Sequence, residues 1–254
     1  MDMTPPTSGI DYRVISIGAL AANRLWGERT PVRTGHATTT LVRTTASDDP
    51  KTAVNLLIDP GLPEPALVAR LHERTGLTPD DITHVFVTTF HPETRRAITA
   101  FPNAVWLISP REREAAGVPL AQSLTRLVES QQTAEATGEP VDDEHGTMME
   151  VLQHDVAVLQ RFEAATDTIA TGVDLFPLPG VSLGCTGLLL AGRETALICG
   201  DAVATSEHAD QGKVLPDCHD RELAKESFEE AIEIADVLVC GRDNLCLNRT
   251  KKMF

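Results

Sequence analysis

The side chains best suited to chemistry gather where apolar runs end. Thr88-Thr89-Phe90-His91-Pro92-Glu93-Thr94 follows Val85-Phe86-Val87. Gly200-Asp201-Ala202 follows Ala196-Leu197-Ile198-Cys199, and Gly241-Arg242-Asp243 follows Val237-Leu238-Val239-Cys240. An imidazole beside carboxylates can hold a cation through nitrogen and oxygen donors. Carboxylates that converge without a cation repel each other, and one of them is pushed toward its protonated form.

Thiols are the other reactive groups. Cys185, Cys199, Cys218, Cys240 and Cys246 make an odd set with no CxxC spacing, which fits free thiols in a reducing cytoplasm. Cys199 and Cys240 close apolar runs and read as small core residues. Cys185 and the adjacent pair Cys218-His219 are the candidates for metal-free nucleophilic chemistry. Sequence neighbours seldom face each other as nucleophile and base, so inert thiols are the expectation.

The elements that must position these residues alternate between strand and helix. Tyr12 to Ile17, Thr38 to Val42 and Val54 to Ile58 read as strands, the last two joined as a hairpin by Ser47-Asp48-Asp49-Pro50. A helix is predicted from Pro63 to Thr75, with Leu67, Val68 and Leu71 on one face and Gly76 as its stop. Strands follow at Ile82 to Val87 and Val105 to Ile108, then Pro110 and a charged helix start. Residues 112–168 are polar and rich in Gln and Glu. They read as helices at Leu120 to Gln131 and Met148 to Ala165, around a loop at Gly138 to Asp143. Further strands are expected at Val173 to Phe176, Gly187 to Leu190, Thr195 to Cys199 and Val237 to Cys240, with a helix over 221–235. A polar tail ends the chain. Interspersed strands and helices in both halves imply a layered α/β protein.

Bulk properties exclude some roles. The chain has 254 residues, 37 of them acidic and 22 basic, for a formal charge of −15. Such a surface repels phosphate backbones and anionic lipid, so nucleic-acid and membrane binding are not expected. No apolar run approaches the roughly 18 residues that span a bilayer. Met1-Asp2-Met3-Thr4 carries no basic cluster of the kind that opens a secretory signal. A cytoplasmic protein is expected. No nucleotide-binding loop or dinucleotide glycine pattern is present.

The run from Thr88 to Thr94 resembles the Thr-His-x-His-x-Asp-His signature of the metallo-β-lactamase superfamily. Other pieces resemble that family in the same order. They are Leu56-Leu57-Ile58-Asp59-Pro60-Gly61, Leu77 to Val85, Pro179-Gly180-Val181-Ser182, Gly200-Asp201-Ala202 and Ala235 to Asp243. The resemblance covers about residues 13–243. It implies an αβ/βα four-layer sandwich, two mixed sheets face to face with helices outside and the site at one edge. A flexible tail at 1–10 and a single domain at 11–254, with a helical insertion at about 112–168, are the expected organisation.

The resemblance implies a dinuclear metal site, and here its ligand positions are depleted. Thr89, Thr94, Val181 and Arg242 stand where the family has histidines. His91, Glu93, Asp201 and Asp59 remain, with Asp59 a structural carboxylate. Too few donors are left for zinc, which takes three protein ligands and a water in catalytic sites. Arg242 is expected to enter the cation volume and pair with Asp201, Glu93 or both. Arg95 and Arg96 read instead as exposed charges at a helix start.

A protein that has lost metallohydrolase activity is therefore expected. It would act in binding, as a scaffold or in regulation, with no resident cofactor. Its partner would be another protein, or a second copy met through the helical insertion. The alternative is a hydrolase of esters, thioesters, lactones or phosphodiesters, with one divalent cation held by His91, Glu93, Asp201 and Asp243.

Overall fold

The computed structural model describes residues 9–137 and 143–249. The chain opens with strands β1 (Asp11–Ser16), β2 (Thr39–Thr45) and β3 (Ala53–Ile58). β2 and β3 pair antiparallel from Thr40 against Ile58 to Thr45 against Ala53, the hairpin expected from the turn residues between them. Helix α1 (Glu64–Thr75) stops at Gly76, whose positive φ of 75° lets its N–H reach the His72 carbonyl. Strand β4 (His84–Val87) then runs parallel to β3 and delivers the chain to Thr88. After the single turn α2 (Pro92–Arg95) comes β5 (Val105–Ile108), parallel to β4.

Helices α3 (Pro110–Thr137) and α4 (Asp143–Arg161) follow, and the short β6 (Glu163–Ala164) returns to β5. The second half holds β7 (Thr168–Ala170), β8 (Val173–Pro177), β9 (Thr186–Ala191), β10 (Thr195–Gly200), α5 (Ser206–Gln211), α6 (Arg221–Ile234), β11 (Val237–Cys240) and β12 (Leu245–Leu247). One sheet is ordered β1-β2-β3-β4-β5-β6 and the other β12-β11-β10-β9-β8-β7. Each mixes parallel and antiparallel pairs.

Alternation along the strands builds the layers. Leu56, Ile58 and Phe86 of the first sheet meet Leu188, Ile198, Val237 and Val239 of the second in the central core. Their neighbours Leu57, Val85 and Val87 face outward onto Leu67 and Leu71 of α1 and onto Val158 and Leu159 of α4. Leu197, Cys199 and Leu238 face outward onto Phe228 and Ala231 of α6. Each such fully buried leucine contributes about 1.5–3 kcal/mol. The result is the αβ/βα sandwich.

Three boundaries differ from the sequence reading. The helical insertion begins at Pro110 and its second helix ends at Arg161, because Glu163–Ala164 and Thr168–Ala170 join the sheets. The helix expected from Leu120 runs through Pro119 from Pro110. The polar end of the chain contributes an edge strand, β12. Residues 1–8 of the loose tail expected at 1–10, and most of the loop expected between the two long helices, lie outside the described residues.

Candidate functional site

Arg242 sits on the turn after β11, fixed by its N–H to the Ala204 carbonyl at 2.7 Å. Its guanidinium is buried between two carboxylates. Nε donates to Asp201 Oδ1 and Nη2 to Asp201 Oδ2, both at 2.6 Å. Nη1 donates to Glu93 Oε2. This fork-on-carboxylate geometry is the strongest form of the pair. The side chains of Arg242 and Asp201 are only 4% and 9% exposed. Burial alone would raise the Asp201 carboxyl, but the Arg242 charge and hydrogen bonds outweigh it and hold it below the usual range. Burial likewise opposes the Arg242 charge, and Asp201 and Glu93 more than restore it.

Backbone geometry brings these groups together. Gly200 takes a φ of 53° at the end of β10, which turns the chain so that Asp201 enters the site. A Cβ at Gly200 would come within 2.6 Å of Thr88 Oγ1. Below Thr88, Asp59 accepts from the Thr88 N–H and hydroxyl, each at 2.8 Å. Asp59 is wholly buried, and burial raises its carboxyl to about 7. It ties β3 to the start of the 88–94 run and does not line the cavity, as a structural carboxylate would.

The run itself is spent mostly on backbone. His91 caps α2, its Nδ1 accepting from the Glu93 N–H at 3.2 Å. In the neutral ring this leaves the proton on Nε2. The wall around the ring and the Arg242 charge both disfavour protonation of His91. The Thr94 hydroxyl lies 2.7 Å from the carbonyl oxygens of both Thr89 and His91. The Thr89 hydroxyl is buried and has no hydrogen-bond partner among the described residues.

Thr89, His91, Glu93, Val181, Asp201 and Arg242 line one cavity of about 630 Å³. Helix α3 supplies an apolar wall with Ala115, Ala116 and Pro119, opposite Leu20 and Ala21. Asp243 is not brought to this site. Its carboxylate accepts from the Ser206 N–H and hydroxyl instead. Arg95 is likewise not an exposed charge. It is buried over the Phe90 ring, 4.1 Å from the centroid, and pairs with Asp155 of α4 at 2.7 Å. Arg96 is exposed and donates to the Gly35 carbonyl.

Two buried cavity residues escaped the sequence reading. Glu112 follows Ser109 with the spacing of a helix capping box. Ser109 does accept the Glu112 N–H. The Glu112 carboxylate, however, leaves the helix to accept from the Phe90 N–H at 2.7 Å and from the Ser182 hydroxyl. It thereby joins the 88–94 run to the Pro179–Ser182 turn. Burial raises it, against those hydrogen bonds. His208 of α5 is the second. The Thr205 hydroxyl gives its proton to Glu207, so it accepts from His208 Nδ1 at 2.8 Å. That leaves Nε2 of neutral His208 as an acceptor, and burial keeps the ring neutral. Nothing in its local sequence marks it.

Burial works against both thiols singled out for metal-free nucleophilic chemistry. Cys185 is buried and burial pushes its thiol up. Cys218 donates to the Leu215 carbonyl, and burial raises it too.

Comparison with solved structures bears on this arrangement. A provisionally named metallo-β-lactamase from Thermotoga maritima matches over 94% of this chain and 100% of its own, with a TM-score of 0.60 and 15% identity. AidC, a dizinc quorum-quenching lactonase, matches over 83% and 75%, with a TM-score of 0.59 and 16% identity. A quorum-quenching N-acyl homoserine lactone lactonase matches over 92% and 89%, with a TM-score of 0.56 and 20% identity. This chain has the metallo-β-lactamase fold. No family model matches the sequence, and no curated protein matches it. The metallo-β-lactamase fold implies a metal site, but the donors present do not fit one. A cationic guanidinium spans the two carboxylates, Thr94 is spent on carbonyls and Val181 offers no donor. Among the described residues, no three His, Cys, Asp or Glu side chains are grouped to hold a metal ion.

Proposed function

We propose that this chain is a metallo-β-lactamase-fold protein that has lost two-metal hydrolase chemistry and keeps the cavity for binding or regulation. The observation that carries the reading is the guanidinium of Arg242 against both Asp201 and Glu93. Zinc brings a bound water to a pKa of about 7. A guanidinium offers no open coordination position, and it cannot act as a base because it stays protonated. AidC is a dizinc lactonase. The corresponding chemistry here would require displacing Arg242 from a buried, doubly paired position.

The cavity suits a small amphipathic molecule. Its apolar wall is Ala115, Ala116 and Pro119, and its polar groups include His91 Nε2–H and the acceptor Nε2 of His208. Polar groups set in a largely apolar wall favour a ligand that pairs with them. A binding role also needs a partner, and a second copy of the chain meeting α4 is the version proposed. Met148 and Val151, one helical turn apart, are 49% and 52% exposed there.

The test is hydrolysis of lactone, thioester, ester and phosphodiester substrates with zinc, iron, manganese or magnesium supplied. No metal-dependent turnover is expected. Turnover abolished by both His91→Ala and Asp201→Ala would overturn the reading in favour of a mononuclear hydrolase.

A further inference from the structure

Two of the cysteines are in contact outside the cavity. The sulfurs of Cys240 and Cys246 lie 3.8 Å apart. Strand pairing explains the approach. β11 and β12 run antiparallel, with Leu238 opposite Cys246 and Val239 opposite Leu245. Cys240 lies two residues beyond Leu238, so its side chain shares the face of the sheet on which Cys246 lies. The pair is therefore diagonal on that face. The face packs against Phe228 and Ala231 of α6. Cys240 is buried and Cys246 is half-buried, so one thiol is reachable from solvent and the other stands behind it. A reachable thiol beside a resolving thiol is the arrangement that peroxide-sensing cysteines use.

We propose that Cys240 and Cys246 are a reversible redox modification site, closed to a disulfide by a peroxide and reopened by a dithiol. The Cys246 sulfur attacks one peroxide oxygen, the O–O bond breaks, and a sulfenic acid forms. The departing hydroxide takes the proton that the thiol gave up, making water. The Cys240 sulfur then attacks the sulfenic sulfur, the S–O bond breaks, and its proton leaves with that hydroxyl as a second water. Two thiols and one peroxide thus become one disulfide and two waters.

The fold permits the closure. Diagonal strand neighbours have Cα atoms about 7–8 Å apart, and a disulfide needs roughly 4.4–6.8 Å. β12 must therefore move by about 1 Å. It is a three-residue edge strand with β11 as its strand partner. Its far end stays anchored, because Asn248 Nδ2 donates to the Ile232 and Ala235 carbonyls. The ring that closes runs from 240 to 246 and contains Arg242. Oxidation would fasten the turn that carries the guanidinium, whatever the cavity binds.

The experiment treats the reduced 254-residue chain with hydrogen peroxide, alkylates it with iodoacetamide and maps the peptides by mass. The expected product is a peptide pair linked through Cys240 and Cys246, lighter by two hydrogen atoms. Both alkylation sites should vanish together and return after dithiothreitol. Cys218→Ser should leave the link intact, and Cys246→Ser should abolish it while the protein keeps its far-ultraviolet spectrum. The proposal is overturned by alkylation unchanged after peroxide, by oxygen atoms accumulating on Cys246 without a link, or by linkage to Cys218 or to a second chain.

Discussion

Arg242 carries the most weight of any single residue. Its charge is desolvated and compensated by two carboxylates, so removing it strands Asp201 in a low-dielectric wall. Removing one partner of a buried pair typically costs about 3–5 kcal/mol. Arg242→Met should destabilise the protein by about that amount, read as a lower urea midpoint with unchanged slope. Arg242→Lys should be partly tolerated, since an ammonium keeps the charge but not the fork. A change under about 1 kcal/mol for Arg242→Met would mean that the pair is exposed and loose in solution. Asp59 gives a second residue-scale prediction. Burial lifts its carboxyl to about 7. Between the unfolded value of about 4 and that point, the folded state binds a proton that the unfolded state has released. Its contribution to stability is therefore full in acid and declines as pH rises to 7, by at most about 1.4 kcal/mol per unit. Asp201 acts the opposite way and in a lower window, losing its contribution only as pH falls through its depressed value. His91 and His208, held neutral, also oppose Asp59 in acid. The difference between wild type and Asp59→Asn isolates it. The wild-type urea midpoint is expected to shift upward relative to that of Asp59→Asn as pH falls from 7 toward 4, and parallel curves would contradict the shift.

At the scale of elements, the strands that deliver the site were legible because each is an apolar run closed by polar or glycine residues. The α1 stop at Gly76 was legible too, since only a left-handed residue ends a helix that way. Short edge strands were not. Glu163 and Ala164 of β6 are both exposed and carry no alternation, and β12 spans three residues. Proline within a helix lacks a donor and crowds the preceding turn. Helix α3 nevertheless continues through Pro119, with Ala116 and Leu120 packed on the core cluster that includes Leu159 and Phe162. Arg95 was read as a surface charge because its partner Asp155 lies on a distant element. The two long helices also carry the association proposal. The chain is expected to sediment as a dimer at micromolar concentration, and Val151→Glu as a folded monomer. Sedimentation of wild type as a monomer would remove the second-copy reading.

For the whole molecule, the ordered pieces between residues 13 and 243 were enough to anticipate two sheets with helices outside. That architecture tolerates wide change in sequence, because it needs only apolar alternation and turns, and the solved structures that share it are 15–20% identical to this chain. The chemistry is less tolerant, because it depends on a few donor atoms at one edge. Thr89, His91, Glu93, Val181, Asp201 and Arg242 could be singled out in the sequence, and they line one cavity. The contributions of Glu112 and His208 could not, since both depend on tertiary partners, Phe90 and Ser182 for one and Thr205 for the other. The central claim is that an arginine holds the place of a metal. Its most direct test is elemental analysis of the chain, expressed with zinc, iron and manganese in the medium and purified without chelator. The prediction is metal far below one ion per chain, unchanged in His91→Ala. Zinc, iron or manganese at one or two ions per chain, lost in His91→Ala or Asp201→Ala, would contradict it.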